Sequence, residues 1–242
     1  MSVVTGRLPN EADAVVGDAV SERGATWVRA FADAEIGSEM TDGRARLTVR
    51  TPEDQYGPVV LGLRGEHQVG NALVAIRVLE AARAHGIAIG RDAIVAGLTN
   101  AEWPARLERI EVAPGRELLL DAAHNVEGAQ ALAAYLARWH RERPPLVIGI
   151  MADKDVDGIL RALLPVTASI VATASMNRRA LPAATLADRV RALDLRRQVV
   201  VEPHAAAAVA RAFEDADFVC VAGSIYLAGE VRDAIERRAI LH

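Results

Sequence analysis

The sequence predicts an α/β protein whose C-terminal part is a Rossmann-like domain, with a mostly parallel sheet and flanking helices. From about residue 103, short apolar runs of strand length alternate with helical segments. Continuous apolar strands of this kind are typical of a parallel sheet that is covered on both faces. In the first helical segment, Leu132, Tyr135, Leu136 and Trp139 recur at the spacing of one buried helix face. Right-handed crossovers between the strands then give a layered arrangement.

The elements of this part follow one another with little interruption. Five apolar runs are predicted as strands: Glu117–Ala122, Leu146–Met151, Ala168–Ala174, Val199–Val201 and Phe218–Ala222. Helices are predicted near residues 127–141, 155–163, 183–193 and 205–215, with a last one near 227–239. In an open α/β sheet of this kind, ligands bind beyond the carboxyl ends of the strands.

The first hundred residues predict a different, smaller α+β arrangement. Its predicted elements are a helix near Asn10–Arg23, strands at Thr26–Arg29, Arg44–Arg50 and Val59–Leu63, and helices near Gln68–His85 and Arg91–Leu98. His85-Gly86 is a suitable end for the longer helix. These elements could form a unit of their own or the end of a larger domain. Since Thr99–Ala105 has the composition of a linker, we expect one domain over residues 1–100 and another over 101–242.

Composition excludes several classes of protein. Hydrophobic residues make up 51% of the 242 residues, which excludes a disordered or fibrous chain. The net charge of -4 argues against nucleic-acid binding through phosphates. The single cysteine, Cys220, excludes an internal disulfide and fits a reducing cytoplasm. No apolar stretch reaches the roughly 18–20 residues that span a bilayer, so we expect a cytoplasmic protein without a membrane partner.

Lys154 is the only lysine in the chain, against a background rich in arginine. Ammonium and guanidinium groups are not interchangeable at a tight site, so a retained lysine is a candidate for function. A phosphate loop of the form G-x-x-x-x-G-K-[ST] requires a lysine after glycine. Because Lys154 follows Asp153, the sequence contains no such loop.

Polar residues or glycine lie at or just beyond the end of all five predicted strands, and each of these places has a structural as well as a functional interpretation. Asn125 could cap the helix that begins at Val126, and Asp153 or Asp155 could cap the next helix. His204, after a proline, fits a turn better than a ligand site.

Two further strand ends keep both interpretations open. Arg178 and Arg179 could be a solvated pair, or two cations for an anionic substrate. The Gly223-Ser224 pair could let the backbone approach a ligand closely, although a glycine alone is weak support. No Ser-His-Asp triad and no zinc spacing of His and Cys is present.

Six strings occur in one order along the chain and together resemble one family. They are H-Q-V-G-N-A (67–72), W-P-A-R-L-E (103–108), L-L-D-A-A-H-N (119–125), G-I-M-A-D-K-D (149–155), N-R-R-A (177–180) and G-S-I-Y-L-A-G-E-V (223–231). The set resembles the bacterial bifunctional folylpolyglutamate synthase/dihydrofolate synthase family, relatives of the Mur ligases. The resemblance covers nearly the whole chain, but only the C-terminal half or so of the family's pattern.

The resemblance implies an ATP-dependent ligase that forms an amide bond. Such an enzyme phosphorylates a carboxylate of dihydropteroate or of a folate glutamate tail, and the amine of L-glutamate then attacks the acyl phosphate. The resemblance also implies that residues 1–100 are the distal part of a Mur-ligase-type central domain. The family's phosphate loop, Mg²⁺ ligands and modified lysine lie upstream of the matched pattern. We therefore expect a fragment that is inactive alone and a monomer when complete, with ATP and Mg²⁺ as cofactors.

The resemblance also assigns roles to single residues. Asn71, Arg106 and Asp121 match positions that contact the nucleotide, and His124 belongs to the same motif as Asp121. Lys154 and Asp153 match a loop that approaches the amino-acid substrate, where Lys154 would pair with a glutamate carboxylate. The remaining two candidates, Ser224 and Tyr226, match a segment near the same substrate. No residue of this chain is assigned as a catalytic group or as a metal ligand.

The sequence departs from the family pattern at Ala105 and Ala122, where the family has glycine. Since alanine disfavours positive φ, we expect a negative φ at both.

Three other functions stay open. One is a Mur-type ligase acting on a peptidoglycan precursor, another a folate- or nucleotide-binding module without catalysis, and the last a scaffold or decayed fragment.

Overall fold

The computed structural model describes residues 1–240, and the chain divides into two compact units. The N-terminal unit is Met1–Glu102, and the C-terminal unit begins at Trp103. No helix within residues 1–240 has both the length and the apolar character that crossing a membrane requires.

The N-terminal unit contains two small sheets and three helices. In chain order its elements are β1 (Ser2–Thr5), α1 (Asn10–Glu22), β2 (Thr26–Arg29), β3 (Glu35–Thr41), β4 (Arg44–Arg50), β5 (Gln55–Arg64), α2 (His67–Ala84) and α3 (Arg91–Thr99). Strands β1 and β2 pair in parallel, and β3, β4 and β5 form an antiparallel meander. The predicted helix end is confirmed, because α2 stops at Ala84 and Gly86 has a φ of +90°.

The prediction of three strands in the first hundred residues was wrong, because β1 and β3 were missed. Strand β3 buries little of its surface, with only Ile36 and Met40 partly covered. It therefore lacks the apolar alternation on which the prediction relied. The turn that joins β3 to β4 is Asp42-Gly43, with φ of +47° and +74°. An Asp-Gly turn of this kind is a strong hairpin signal that the sequence did contain.

A buried polar network ties α2 to the meander. Glu80 is 4% exposed and accepts hydrogen bonds from the Thr51 hydroxyl at 2.6 Å and the Tyr56 hydroxyl at 2.9 Å. Its other carboxylate oxygen lies 2.7 Å from a guanidinium nitrogen of Arg77. Burial, followed by the contact with Glu80, raises the pKa of Tyr56 above its usual value. Tyr56 therefore stays a neutral donor in this network.

The C-terminal unit is a layered α/β domain, as predicted. Its elements are β6 (Glu108–Ala113), β7 (Arg116–Leu120), α4 (Val126–Trp139), β8 (Leu146–Ile148), α5 (Val156–Leu163), β9 (Ile170–Ala172), α6 (Ala183–Leu193), β10 (Val199–Val201), α7 (Ala205–Ala212), β11 (Phe218–Ala222) and α8 (Ile225–Glu236). A single 3-10 turn, Leu164–Val166, follows α5.

The sheet of this unit has the order β10-β9-β8-β11-β7-β6. All neighbours pair in parallel except β6, which is antiparallel to β7. Strand β6 was not predicted. It joins β7 through a turn at Gly115, whose φ is +73°. Three strands are also shorter than predicted, since β7 ends at Leu120, β8 at Ile148 and β9 at Ala172.

Two separate apolar clusters lie on the two faces of this sheet. Helices α4, α5 and α6 contribute to one cluster, which includes Leu136, Ile159 and Leu186. Helices α7 and α8 contribute to the other, which includes Val209 and Val231. The helix that follows β11 therefore lies on the opposite face from the helices that follow β7 and β8. This arrangement makes the carboxyl end of β11 a topological switch point, the usual place for a ligand crevice.

Candidate functional site

A small pocket lies at this switch point and brings five of the predicted site residues together. Its volume is about 190 Å³, and it is lined by His124, Met151, Asp153, Lys154, Arg179, Ser224, Ile225 and Tyr226. Typical drug-sized ligands occupy pockets of roughly 300–1,000 Å³. The pocket therefore suits a smaller molecule, such as an amino acid.

His124 and Asn125 follow β7 and have different roles. Asn125 caps α4, with its side-chain oxygen 2.9 Å from the Gly128 nitrogen, as the helix-cap interpretation predicted. The His124 Nδ1 atom lies 2.9 Å from the Ala122 carbonyl oxygen. Because that oxygen can only accept, Nδ1 carries the proton. In a neutral ring the Nε2 atom is then the acceptor.

The loop after β8 places Asp153 and Lys154 at the pocket. Asp155 caps α5 by accepting a hydrogen bond from the Gly158 nitrogen at 2.9 Å, so of the two aspartates it is Asp155 that forms the cap. Asp153 and Lys154 line the pocket, and their charged groups lie 3.5 Å apart. Both side chains remain at least one-third exposed, so this ion pair can open towards a ligand at little cost.

The sequence left two interpretations of Arg179 open, a solvated surface residue or a cation for an anionic substrate. It was not among the predicted site residues. The loop that carries it packs beside the loop after β8, because the Ala152 nitrogen donates to the Arg179 carbonyl oxygen at 2.8 Å. An isolated bridge between Met151 and Ala180 continues this pairing. Arg179 therefore joins Lys154 as a second cation of the pocket. The string N-R-R-A held the signal, but the sequence did not show which arginine faces the pocket.

The segment after β11 supplies the opposite wall. Gly223 has a φ of +108°, and a Cβ atom there would lie 2.7 Å from the Gly149 carbonyl oxygen. The close approach at Gly223 is therefore to the backbone of Gly149, whereas the functional interpretation of the sequence expected an approach to a ligand. Ser224 is 1% exposed, and its hydroxyl oxygen accepts a hydrogen bond from the Tyr226 nitrogen at 3.2 Å. Tyr226 is about half exposed at the pocket.

Asp121 lies at the end of β7 but is not among the residues that line the pocket. Its side chain is 7% exposed. One carboxylate oxygen accepts the Leu107 N–H and the other the Ala123 N–H, each at 2.8 Å. Burial raises the pKa of Asp121 to about 6, against the opposing effect of these bonds. Since the folded pKa exceeds the unfolded value, Asp121 stabilises the fold most below about pH 4, and this contribution declines as pH rises through 6.

Arg106 is exposed on a tight turn beside Asp121. The expectation of negative φ was wrong for Ala105, whose φ is +56°, and Leu107 has +48°. Such conformations cost a non-glycine residue roughly 1–2 kcal/mol each. Burial of both side chains and a 2.7 Å bond from the Ala122 nitrogen to the Ala105 oxygen hold the turn in place. Ala122 itself is not in the positive-φ region.

Asn71, the remaining candidate, belongs to the N-terminal unit. It lies on the first turns of α2 and donates a hydrogen bond to the Gln68 side-chain oxygen at 2.9 Å. Both residues line a mainly apolar pocket of about 370 Å³ between α2, α3 and β5. Its other walls include Leu61, Ile94 and Gly97. An apolar slot with two amides at one side can accept a planar heterocycle.

The charged groups of residues 1–240 do not form a metal site. No group of three or more His, Cys, Asp or Glu side chains in this range is arranged to hold a metal ion. The donor set of the described chain therefore does not fit Mg²⁺.

Comparisons with known proteins agree on one family. Residues 105–225, half of the chain, match the family described as "Mur ligase, glutamate ligase domain". A dihydrofolate synthase/folylpolyglutamate synthase of Mycobacterium tuberculosis is 37% identical over 201 residues, which cover 75% of this chain and 41% of that protein.

Solved structures give the same result. A folylpolyglutamate synthase of M. tuberculosis complexed with ADP and AMPPCP matches with a TM-score of 0.88 and 30% identity, covering 97% of this chain and 55% of that one. The Thermotoga maritima folylpolyglutamate synthase matches with a TM-score of 0.78 and 29% identity, covering 98% and 54%. This chain thus spans about half the length of the relatives that it matches. It belongs to the Mur ligase family, with the glutamate ligase domain at residues 105–225, and within that family to the folylpolyglutamate synthase/dihydrofolate synthase group.

Proposed function

We propose that this chain supplies the glutamate-binding part, and one side of the nucleotide site, of an ATP-dependent ligase that adds L-glutamate to dihydropteroate or to a folylpolyglutamate tail. The observation that carries the proposal is the amino-acid-sized pocket at the switch point, with Lys154 and Arg179 on its wall. The names of the relatives support folate over a peptidoglycan precursor.

The two cations match the two carboxylates of glutamate. Arginine binds a carboxylate through a fork of parallel N–H bonds, whereas lysine acts as a compact charge. Asp153, 3.5 Å from Lys154, could exchange that partner for the ammonium group of the incoming glutamate. The pocket residues would thereby hold the amine at the mouth. Positioning of this kind can contribute a large share of the catalysis of a two-substrate reaction.

The chemistry follows from the poor reactivity of a free carboxylate. Transfer of the terminal phosphoryl group of ATP to a carboxylate oxygen of the acyl substrate makes an acyl phosphate and releases ADP. After the glutamate ammonium has lost a proton, its amine attacks the carbonyl carbon of the acyl phosphate. An amide bond forms, a second proton is lost from the nitrogen, and inorganic phosphate leaves. The exposed guanidinium of Arg106 suits the negative charge of the phosphates. The described residues do not fit Mg²⁺, so in this proposal the metal and the phosphate loop belong to the rest of the enzyme, without which the chain does not ligate.

We expect the chain to bind L-glutamate directly, because the pocket lies entirely within the C-terminal unit. Replacing Lys154 or Arg179 with methionine should weaken binding by roughly 10–100-fold, since a hydrogen bond to a charged group contributes about 1.5–3 kcal/mol. Calorimetric titration of the purified chain measures both effects.

Arg178→Met is the matched control, because Arg178 is exposed and is not among the residues that line the pocket. Its affinity for L-glutamate should equal that of the wild type. If Lys154→Met, Arg179→Met and Arg178→Met all bind L-glutamate as tightly as the wild type does, the assignment of the two cations is refuted.

The apolar pocket beside Asn71 is the proposed site for the purine base of ATP. Gly97 lines it, and a Cβ atom at Gly97 would meet nothing within 4 Å. Gly97→Leu should therefore fill open space, preserve α3 and reduce ADP affinity at least 10-fold, as followed by NMR titration.

Gly97→Ala serves as the control for folding. It should raise the stability of the helix by up to about 1 kcal/mol, because alanine favours helix over glycine. ADP binding that is unaffected by the leucine variant would show that the base binds elsewhere.

A further inference from the structure

The loop that follows β9 is joined to α8 by a hydrogen bond to a carboxylate. The Met176 nitrogen donates to an oxygen of Glu230 at 2.8 Å, although the two residues are 54 positions apart in the chain. Glu230 is partly buried and lies one helical turn beyond Tyr226, so the two side chains share a face of α8. Because Tyr226 lines the pocket proposed for L-glutamate, this bond attaches the loop beside the pocket wall.

The bond to Glu230 is the main attachment of this part of the loop. Within residues 1–240, no other hydrogen bond joins residues 174–178 to another helix or strand. The Met176 side chain is 92% exposed and therefore packs little. The buried hydroxyl oxygen of Ser175 has no hydrogen-bond partner in the described part of the chain. A bond to a carboxylate is stronger than one between neutral groups, so its loss should free the segment.

The other end of the segment is held by different contacts. The Arg179 nitrogen donates to the Asn177 side-chain oxygen at 2.9 Å, and the Arg179 carbonyl oxygen accepts from the Ala152 nitrogen at 2.8 Å. The Arg179 side chain is among the groups that line the pocket. Residues 176–179 thus connect α8 to the loop after β8, with a cation of the pocket at one end.

We propose that Glu230 is a positioning residue of the glutamate pocket. By holding the Met176 N–H, it fixes the loop that carries Arg179 and so increases the affinity for L-glutamate through that cation. The attachment stands on the hydrogen bond alone, whereas the consequence for binding rests on the proposed function. By charge alone, a carboxylate near the pocket would repel an anionic ligand, so an electrostatic role and a positioning role predict opposite effects of its removal.

The test compares Glu230→Ala with Glu230→Gln in the 242-residue chain. Glutamine keeps a carbonyl oxygen that can accept the Met176 N–H, whereas alanine has no acceptor. Exchange of the Met176 amide with water, measured by NMR, should become roughly 10-fold faster in Glu230→Ala and stay within about threefold of the wild type in Glu230→Gln. Calorimetric titration should show the same pattern, with L-glutamate bound roughly 10-fold more weakly by the alanine variant alone.

Glu202→Ala is the matched control, because Glu202 also accepts a backbone N–H, from His204 at 3.0 Å. It should change neither the exchange at Met176 nor the affinity for L-glutamate. Equal weakening by Glu230→Ala and Glu230→Gln, or unaltered exchange at Met176 in Glu230→Ala, would overturn the proposal. Glu230→Met is a second variant without an acceptor and should behave as the alanine variant does. If neither folds, the proposal fails, because Glu230 would then support the whole unit.

A double-mutant cycle tests the route through Arg179. Adding Glu230→Ala to Arg179→Met should weaken L-glutamate binding no further than Arg179→Met alone. Factors that multiply would show that Glu230 acts independently of Arg179 and would overturn the proposal. Absence of L-glutamate binding by the wild type would contradict the proposed function, and with it the consequence for binding. The exchange at Met176 would still decide whether Glu230 holds the loop.

Discussion

Replacing Glu80 with alanine is expected to lower the free energy of unfolding of the N-terminal unit by about 3–5 kcal/mol. The carboxylate is the shared acceptor for two buried hydroxyl groups and the partner of Arg77. Without it the Thr51 and Tyr56 hydroxyls lose their buried acceptor, and the guanidinium of Arg77, only 11% exposed, becomes an uncompensated buried charge. Each of these consequences is unfavourable, and all occur in one small unit.

Hydrogen exchange measured by mass spectrometry along a urea series can follow peptides of the two units separately. Peptides from α2 and β5 should lose protection at lower urea in Glu80→Ala, while peptides from β8 and β11 keep theirs. Glu35→Ala is the control, because its ion pair with Arg50 is long, at 3.9 Å, and exposed, and should contribute less than about 1 kcal/mol. Equal effects of the two substitutions would show that the network around Glu80 contributes little.

Replacing Gly223 with alanine is expected to destabilise the C-terminal unit by about 2–5 kcal/mol and to distort the glutamate pocket. Two penalties combine: the φ of +108° is unfavourable for a residue with a side chain, and the new Cβ atom would lie 2.7 Å from the Gly149 carbonyl oxygen. Because the obstructing atom belongs to the backbone of a neighbouring strand end, it cannot move aside like a side chain. Forced overpacking alone typically costs 1–3 kcal/mol.

Gly229→Ala is the matched control, since it lies six residues away in α8 and a Cβ atom there would meet nothing within 4 Å. It should stabilise the helix by up to about 1 kcal/mol. Urea unfolding measures both stabilities, and L-glutamate titration of the folded proteins measures the pocket. A Gly223→Ala variant as stable as the wild type would contradict the argument from φ and contact.

The architecture of the C-terminal unit could be predicted because the central strands of its sheet are buried on both faces. Phe218–Ala222, for example, then appears as an uninterrupted apolar run, and its predicted bounds match the structure. Strands that bury little of either face, such as β3, give no such run. Edge strand β6 was missed for a related reason, because polar and apolar residues are mixed along it.

The candidate site was only partly accessible from the sequence. Motif strings indicated which segments meet at the strand ends, and helix capping by Asn125 followed from local chemistry. The membership of Arg179 in the pocket depends on two loops that pack side by side. The hydrogen bonds of Asp121 and the left-handed φ of Ala105 depend on residues brought together only by the fold. These features have no local signature in the sequence.

The position of β11 has a consequence for how the protein is made. This strand is the last of the sheet in the chain, yet it lies at the centre, between β7 and β8. A ribosome therefore releases all the other strands before the one that joins them, and the growing chain cannot close the sheet until Phe218–Ala222 has emerged. Since contacts over such long sequence separations form slowly, the edges of β7 and β8 stay open during synthesis. Stop codons shortly before residue 218 should therefore yield an aggregating product, whereas loss of the last few residues should leave the sheet complete.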